Sequence, residues 1–222
     1  VYLKQDCYNL LKLLKDPEAE ILVLGNYTVE ELLKLIEECN YDDRKIVGYP
    51  SFLPQFLMNS YYVRKDEPGY FAEDDLMMAF YEYAFKNKNE FVVKWWKMNF
   101  NITNILTALI ARKNGWNVAD YILGDNEITE MMRMNKSKDF DLGREYDYVP
   151  ELMKIVEIED PVEKEKRIDA YKWVEKEADD LTPRTRENIP LDELMNTWMA
   201  RLGDEKSDKL VTKSEGTDES SL

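Results

Sequence analysis

Residues Phe91 to Gly115 read FVVKWWKMNFNITNILTALIARKNG, and this stretch decides the fold. Phe91, Trp95, Met98, Ile102, Ile105 and Leu109 recur at spacings of 4, 3, 4, 3 and 4, which is one apolar stripe along a helix. Val92, Trp96, Leu106 and Ile110 widen that stripe, so neighbours are expected on most sides of this helix. Gly115 supplies the residue that most readily takes the left-handed conformation at a helix end. Lys97, Asn101, Asn104, Ala108 and Arg112 fall along one line, a polar seam on an otherwise apolar rod.

The bulk composition narrows the chemistry. The 222 residues are 44% apolar and 34% charged, the balance of a folded globular chain with a sizeable core. No apolar run approaches the length of a bilayer span, and no signal peptide is visible. The chain opens directly into a helical pattern, as if its natural beginning lay upstream. With 45 acidic against 30 basic residues the net charge is −15, which suits neither phosphate backbones nor anionic headgroups. Nucleic acid is therefore not expected as a partner. Cys7 and Cys39 read as buried small hydrophobes in a reducing compartment. The absence of histidine removes Ser–His and Cys–His catalysis and the commonest zinc ligand. No phosphate-binding glycine loop, GxSxG or CxxC is present. The densest carboxylates, Glu73/Asp74/Asp75 and Asp139/Asp141, read as solvated or structural groups, so no catalytic residue, cofactor or metal is expected.

Working outward from the central helix, the spacing predicts an all-α chain. Tyr2 to Lys15 is a helix stopped by Asp16-Pro17. Ile21 to Leu24 reads as a short strand or a buried loop. Thr28-x-x-Glu31 is a capping box opening a helix to about Cys39. Phe52 to Arg64 forms another helix, with Pro54 in its first turn. The helix opened by Glu73, Asp74 and Asp75 ends near Lys86, so close to the central helix that an antiparallel hairpin is expected. Beyond Gly115 the pattern gives short helices at Val118 to Leu123, Glu127 to Asn135 and Pro150 to Ile158. Asp160-Pro161-x-Glu163 starts a charged helix to about Asp179. A last amphipathic helix is expected at Leu191 to Leu202. The expected organisation is a first helical unit over 1–66, a second over 67–202, and a disordered acidic tail over 203–222.

The seam recurs within the chain. Asp6-Cys7-Tyr8-Asn9-Leu10-Leu11 parallels Asn101-Ile102-Thr103-Asn104-Ile105-Leu106, and Gly25 to Leu32 parallels Gly124 to Met131. Both copies read as helix, connector, glycine turn and helix, which points to duplicated helical units. A short amide at the edge of a buried stripe can bond the backbone of a crossing connector. A buried amide left alone costs about 1–3 kcal/mol, so Asn9 and Asn104 are expected to act as tethers.

Asn101-x-x-Asn104-Ile105-x-x-x-Leu109-x-Ala111-Arg112-Lys113-x-Gly115 follows Phe91-x-x-x-Trp95 and precedes Tyr121-Ile122-Leu123-Gly124-Asp125-Asn126. This run resembles the signature of the C-type (in eukaryotes, d-type) subunit superfamily of the V-type ATPases. The chain is more closely similar to a Bacteroides-type family that accompanies V-type ATPase subunits, with the likeness extending from Tyr2 to about Glu177. The resemblance implies duplicated helical-bundle units and a non-catalytic central-stalk (rotor) subunit of a V/A-type rotary ATPase. Its implied task is to couple the shaft to the membrane rotor ring for ion transport or ATP synthesis. Its implied partners are shaft and rotor-ring subunits, and its implied place is the cytoplasmic face of the inner membrane, held there by the complex. Asn101, Asn104, Gly115 and Gly124 would be the family-motif positions, with Asp6, Asn9 and Gly25 their repeat equivalents. Two departures stand out: Ile110 occupies a position where the C-type pattern has arginine, and no aromatic-rich final helices are recognisable beyond Asp179. The alternative is a non-catalytic helical adaptor of another complex.

Overall fold

The structure is a computed structural model that describes residues 2–41 and 46–180, side chains excepted at 41 and 173–180. Helices and turns, and no strand, make up the described residues. The chain divides into two compact units. One holds Val1–Phe100 with Leu123–Asp125; the other holds Asn101–Ile122 with the chain from Asn126 onward. The division thus falls inside the central helix rather than at the expected 66/67 boundary. The reason is packing: Leu76, Met77, Phe80 and Tyr81 join the core built from the first helices.

The first unit contains α1 (Tyr2–Lys15), α2 (Val29–Tyr41), α3 (Phe52–Phe56), a π turn (Leu57–Tyr61), α4 (Tyr62–Arg64) and α5 (Ala72–Phe85). It also contains the opening turns of α6 (Glu90–Lys113). Its core gathers Cys7, Leu10, Leu35, Leu53, Leu57, Leu76 and Phe80. The expected helix over 52–64 exists, with one irregularity. The Tyr62 amide reaches back five residues to the Leu57 carbonyl, so an extra residue is taken up without breaking the helix. Tyr61 and Tyr62, half-buried at the end of this turn, donate their hydroxyls to the carbonyls of Leu14 (3.4 Å) and Ile36 (2.7 Å).

Two expectations fail in this unit. Ile21 to Leu24 is neither strand nor buried loop: Leu22, Val23 and Leu24 are exposed, Val23 at 96%. The Leu22 backbone finds its partners on an α1 side chain, so the segment needs neither a neighbouring strand nor a place in the core. The hairpin of α5 and α6 is also not a side-by-side pair. Phe80, Tyr81 and Phe85 of α5 meet the rings of Trp96 and Phe100 of α6. In a hairpin, Phe85 would face the first turn of α6. It meets Phe100 instead, ten residues or about 15 Å further along the axis, which is the pattern of a crossing.

The same crossing leaves the start of α6 poorly covered. Phe91 is 48% exposed, and no residue of α6 before Asn99 is fully buried. Asn89 opens the helix by accepting from the Phe91 amide at 2.9 Å. At the other end Gly115 has φ +72°, its amide bonds the Arg112 carbonyl, and the Trp116 amide bonds that of Ala111. Those two bonds and the left-handed glycine make a Schellman closure, as the sequence predicts.

The second unit continues with a single 3₁₀ turn (Val118–Asp120), α7 (Glu127–Met134), a second 3₁₀ turn (Leu142–Arg144), α8 (Val149–Val156) and α9 (Pro161–Asp180). The helix expected over Val118 to Leu123 contracts to that turn, because Asn117 spends its side chain on Asp120 (2.9 Å) rather than on a backbone amide. α9 starts as expected, the Asp160 carboxylate accepting from the amides of Val162 and Glu163 at 2.8 and 3.0 Å. The helix expected over Leu191 to Leu202 and the tail expected over 203–222 lie outside the described residues.

Candidate functional site

In the first unit Asp6 and Asn9 are both fully buried on α1. Asp6 Oδ1 accepts from the backbone amides of Asn26 (2.8 Å) and Tyr27 (3.2 Å), and its Oδ2 accepts from the Asn26 side-chain amide (2.7 Å). Asn9 grips the connector on both sides of one residue: Nδ2 donates to the Leu22 carbonyl (2.8 Å) and Oδ1 accepts from the Leu22 amide (3.3 Å). Gln5 adds a donor to the same Oδ1 at 3.1 Å. Gly25 sits so close that a Cβ there would fall 2.1 Å from Asp6 Oδ1. The helix that follows is capped reciprocally, Thr28 Oγ1 accepting from the Glu31 amide and Glu31 Oε2 from the Thr28 amide.

In the second unit Asn101 is half-buried and Asn104 buried on α6. Asn101 Oδ1 accepts from Asn126 Nδ2 at 3.0 Å. Asn126 itself caps α7. Its Oδ1 accepts from the Thr129 amide (2.9 Å) while its own amide donates to Thr129 Oγ1 (2.8 Å). The helix cap therefore stands three residues after Gly25 but two after Gly124. Cap and glycine turn are offset by one residue between the two stretches that the sequence aligns without a gap. Gly124, grouped with the first unit, has φ +75°, and a Cβ there would meet Phe100 Cζ at 2.8 Å.

Arg112, at the far end of the same seam, clamps the chain beyond α7. Nη2 donates to the Asn135 carbonyl at 2.8 Å, Nη1 donates to that of Ser137, and the guanidinium lies 3.6 Å over the Phe140 ring. Burial lowers the pKa of this group, and Asp139 opposes that shift. Phe140 and Asp141 both have positive φ, 59° and 57°, an uncommon pair of left-handed residues. What holds them is Asp139. Burial pushes its carboxyl up, but hydrogen bonds from the Asp141, Asp139 and Gly143 amides and the Ser137 hydroxyl bring it below the ordinary value. A Cβ at Gly143 would stand 2.7 Å from Asp139 Oδ2.

Two of the remaining carboxylate candidates carry structural bonds, while Glu73 and Asp74 are exposed. Asp75 bonds Arg64 at 3.0 Å, and Asp141 accepts from Asn135 at 2.6 Å. Among the described residues no three His, Cys, Asp or Glu side chains converge as a metal site. Burial pushes the thiols of Cys7 and Cys39 up to about 12 and about 11, so both remain protonated. A cleft of about 290 Å³ lies between α3, its π turn and α5, lined by Gln55, Asn59, Ser60, Asp75, Glu82 and Tyr83.

Sequence reading missed three features here. The Asn126–Thr129 box was legible as a capping spacing but stood hidden in the repeat alignment. Arg112 had no local signal, because its partners lie 23 and 25 residues away. Glu151, buried beside Lys154 (2.9 Å) and Arg167 (3.9 Å), looks from the sequence like any solvated acid.

The family whose sequence profile matches residues 1–185 is described as protein of unknown function (DUF2764). The chain belongs to this family. The matched span takes in both seams, the Arg112 clamp and all of α9. No curated protein and no solved structure matches the chain. No helix among the described residues is long and apolar enough to cross a membrane.

Proposed function

We propose that this chain is a non-catalytic central-stalk subunit of a V/A-type rotary ATPase, standing between the shaft and the membrane rotor ring. The observation that carries this reading is the coincidence of motif and geometry. Residues on which the V-type ATPase resemblance rests, Asn101 and Asn126, meet at 3.0 Å, and Gly124 packs its backbone on Phe100. A buried polar pair on α1 holds its own glycine connector in a related way, which favours duplicated units. In such a role the function is mechanical. Polar tethers have directional donor–acceptor geometry and so define where a connector crosses a helix, which suits a part that carries load.

Affinity purification of the tagged full-length protein from detergent-solubilised membranes tests the reading. Rotor-ring and shaft proteins should co-purify; recovery of neither overturns it. The second reading, a helical adaptor of another complex, is favoured by Ile110. That residue is 37% exposed at the position where the C-type pattern has an arginine. Gene order separates the two readings, since catalytic and rotor proteins encoded alongside this gene favour the first.

A further inference from the structure

The connector between α1 and α2 carries its apolar residues outward. Leu22, Val23 and Leu24 are 53%, 96% and 64% exposed, three consecutive large aliphatic side chains facing outward. Single exposed aliphatics are ordinary, but a contiguous run at a loop tip is not. This tip is also held in place. Buried Asn9 bonds both backbone groups of Leu22, and buried Asp6 takes the amides of Asn26 and Tyr27 just beyond. Two buried polar side chains therefore fix a tip whose three aliphatic side chains stay exposed. The entropy of ordering the tip is already spent in the free chain, as suits a preorganised contact.

Charge decides among possible occupants. Exposed Asp16, Glu18 and Glu20 lead into the tip and Glu30 follows it, outnumbering Lys12 and Lys15. A bilayer with anionic lipids would repel these flanks. A second copy would set the same acidic flanks against each other in a chain of net charge −15. We infer that the Leu22–Leu24 tip inserts into an apolar pocket of a protein partner whose rim carries lysine or arginine. The aliphatic side chains supply the buried area, and Asp16, Glu18 and Glu20 pair with the rim, setting on-rate and orientation. This inference does not depend on the rotary reading.

The test places a photoactivatable diazirine side chain at Val23 of the full-length protein in its native cells. A control at Val63, a solitary exposed valine, measures chance encounters. Crosslinked peptides are then sequenced. Val23 should give one dominant protein adduct in an apolar segment flanked by Lys or Arg, at about tenfold or more the Val63 yield. The Glu18→Lys/Glu20→Lys double variant should cut that yield about tenfold while its urea midpoint stays unchanged. Adducts only to lipid, only to a second copy, or no more than at Val63 would overturn the proposal. So would a protein adduct indifferent to the charge reversal. An adduct to a rotary-ATPase protein would support both readings; a charge-sensitive adduct to another protein supports the tip alone, and the co-purification decides the rotary assignment separately.

Discussion

The connectors after α1 and after α6 each require a glycine where the backbone lies close to a helix side chain, yet for opposite physical reasons. Gly25 is needed for closeness: its φ is unremarkable, but Asp6 occupies the space a Cβ would take. Gly124 is needed chiefly for handedness, its φ of +75° being a conformation that side chains resist. The acceptors differ in parallel. Asp6 is an acid that binds two backbone amides and a side-chain amide, whereas Asn101 is a neutral amide that binds one. At one seam Asp6 closes tightly over backbone; at the other Asn101 links to a residue that already caps a helix. Likeness in sequence thus maps onto a related device built to different strengths.

The comparison breaks most visibly at Asp6. Asp6→Ala leaves two backbone amides without an acceptor and should cost about 3–4 kcal/mol in urea unfolding, with amide exchange at Asn26 and Tyr27 speeding up first. The two glycines come next. Gly25→Ala should cost about 3 kcal/mol alone but under about 1 kcal/mol in an Asp6→Ala background, because the obstacle is gone. Gly124→Ala should cost about 2 kcal/mol and keep most of that cost beside Phe100→Leu, because the backbone strain stays. Equal coupling in the two cycles would show that the glycines serve the same purpose. Asn101→Ala should cost only about 1 kcal/mol by the same assay, since Asn126 retains its cap.

The smallest effect is one of pH, and it belongs to the second unit. The Asp139 carboxyl titrates lower in the folded chain than its usual 3.8. Its contribution is therefore present above that value and is lost as pH falls through it toward the lower folded pKa. The urea midpoint should drop over that acid window, and Asp139→Asn should flatten this part of the profile.

Much of the fold was legible because helix periodicity is local. The α6 stripe, the Gly115 closure, the Thr28–Glu31 box and the Asp160 start each reside within a few residues of sequence. What was not legible depends on pairs far apart. Ile21 to Leu24 resembles a strand or core loop by composition, and only Asn9, thirteen positions before Leu22, explains its outward turn. The hairpin of α5 and α6 follows from a short linker, but the rings of Tyr81 and Phe100 set the crossing. The seam residues could be recognised as polar positions on buried faces; which connector atoms they hold could not, since a one-residue offset at the glycine changes every partner.

The π turn at Leu57–Tyr61 has a consequence for chain length. An ordinary helix that loses one residue turns everything beyond the gap by about 100° relative to what precedes it. Here the surplus residue is already stored, so deleting one of Met58, Asn59 or Ser60 should leave a regular α-helix with both flanks facing as before. The hydroxyls of Tyr61 and Tyr62 would still find the carbonyls of Leu14 and Ile36. The same deletion in α1 would carry Asp6 away from the amides it holds. Within one small unit, then, one helix has slack in its numbering and another has none.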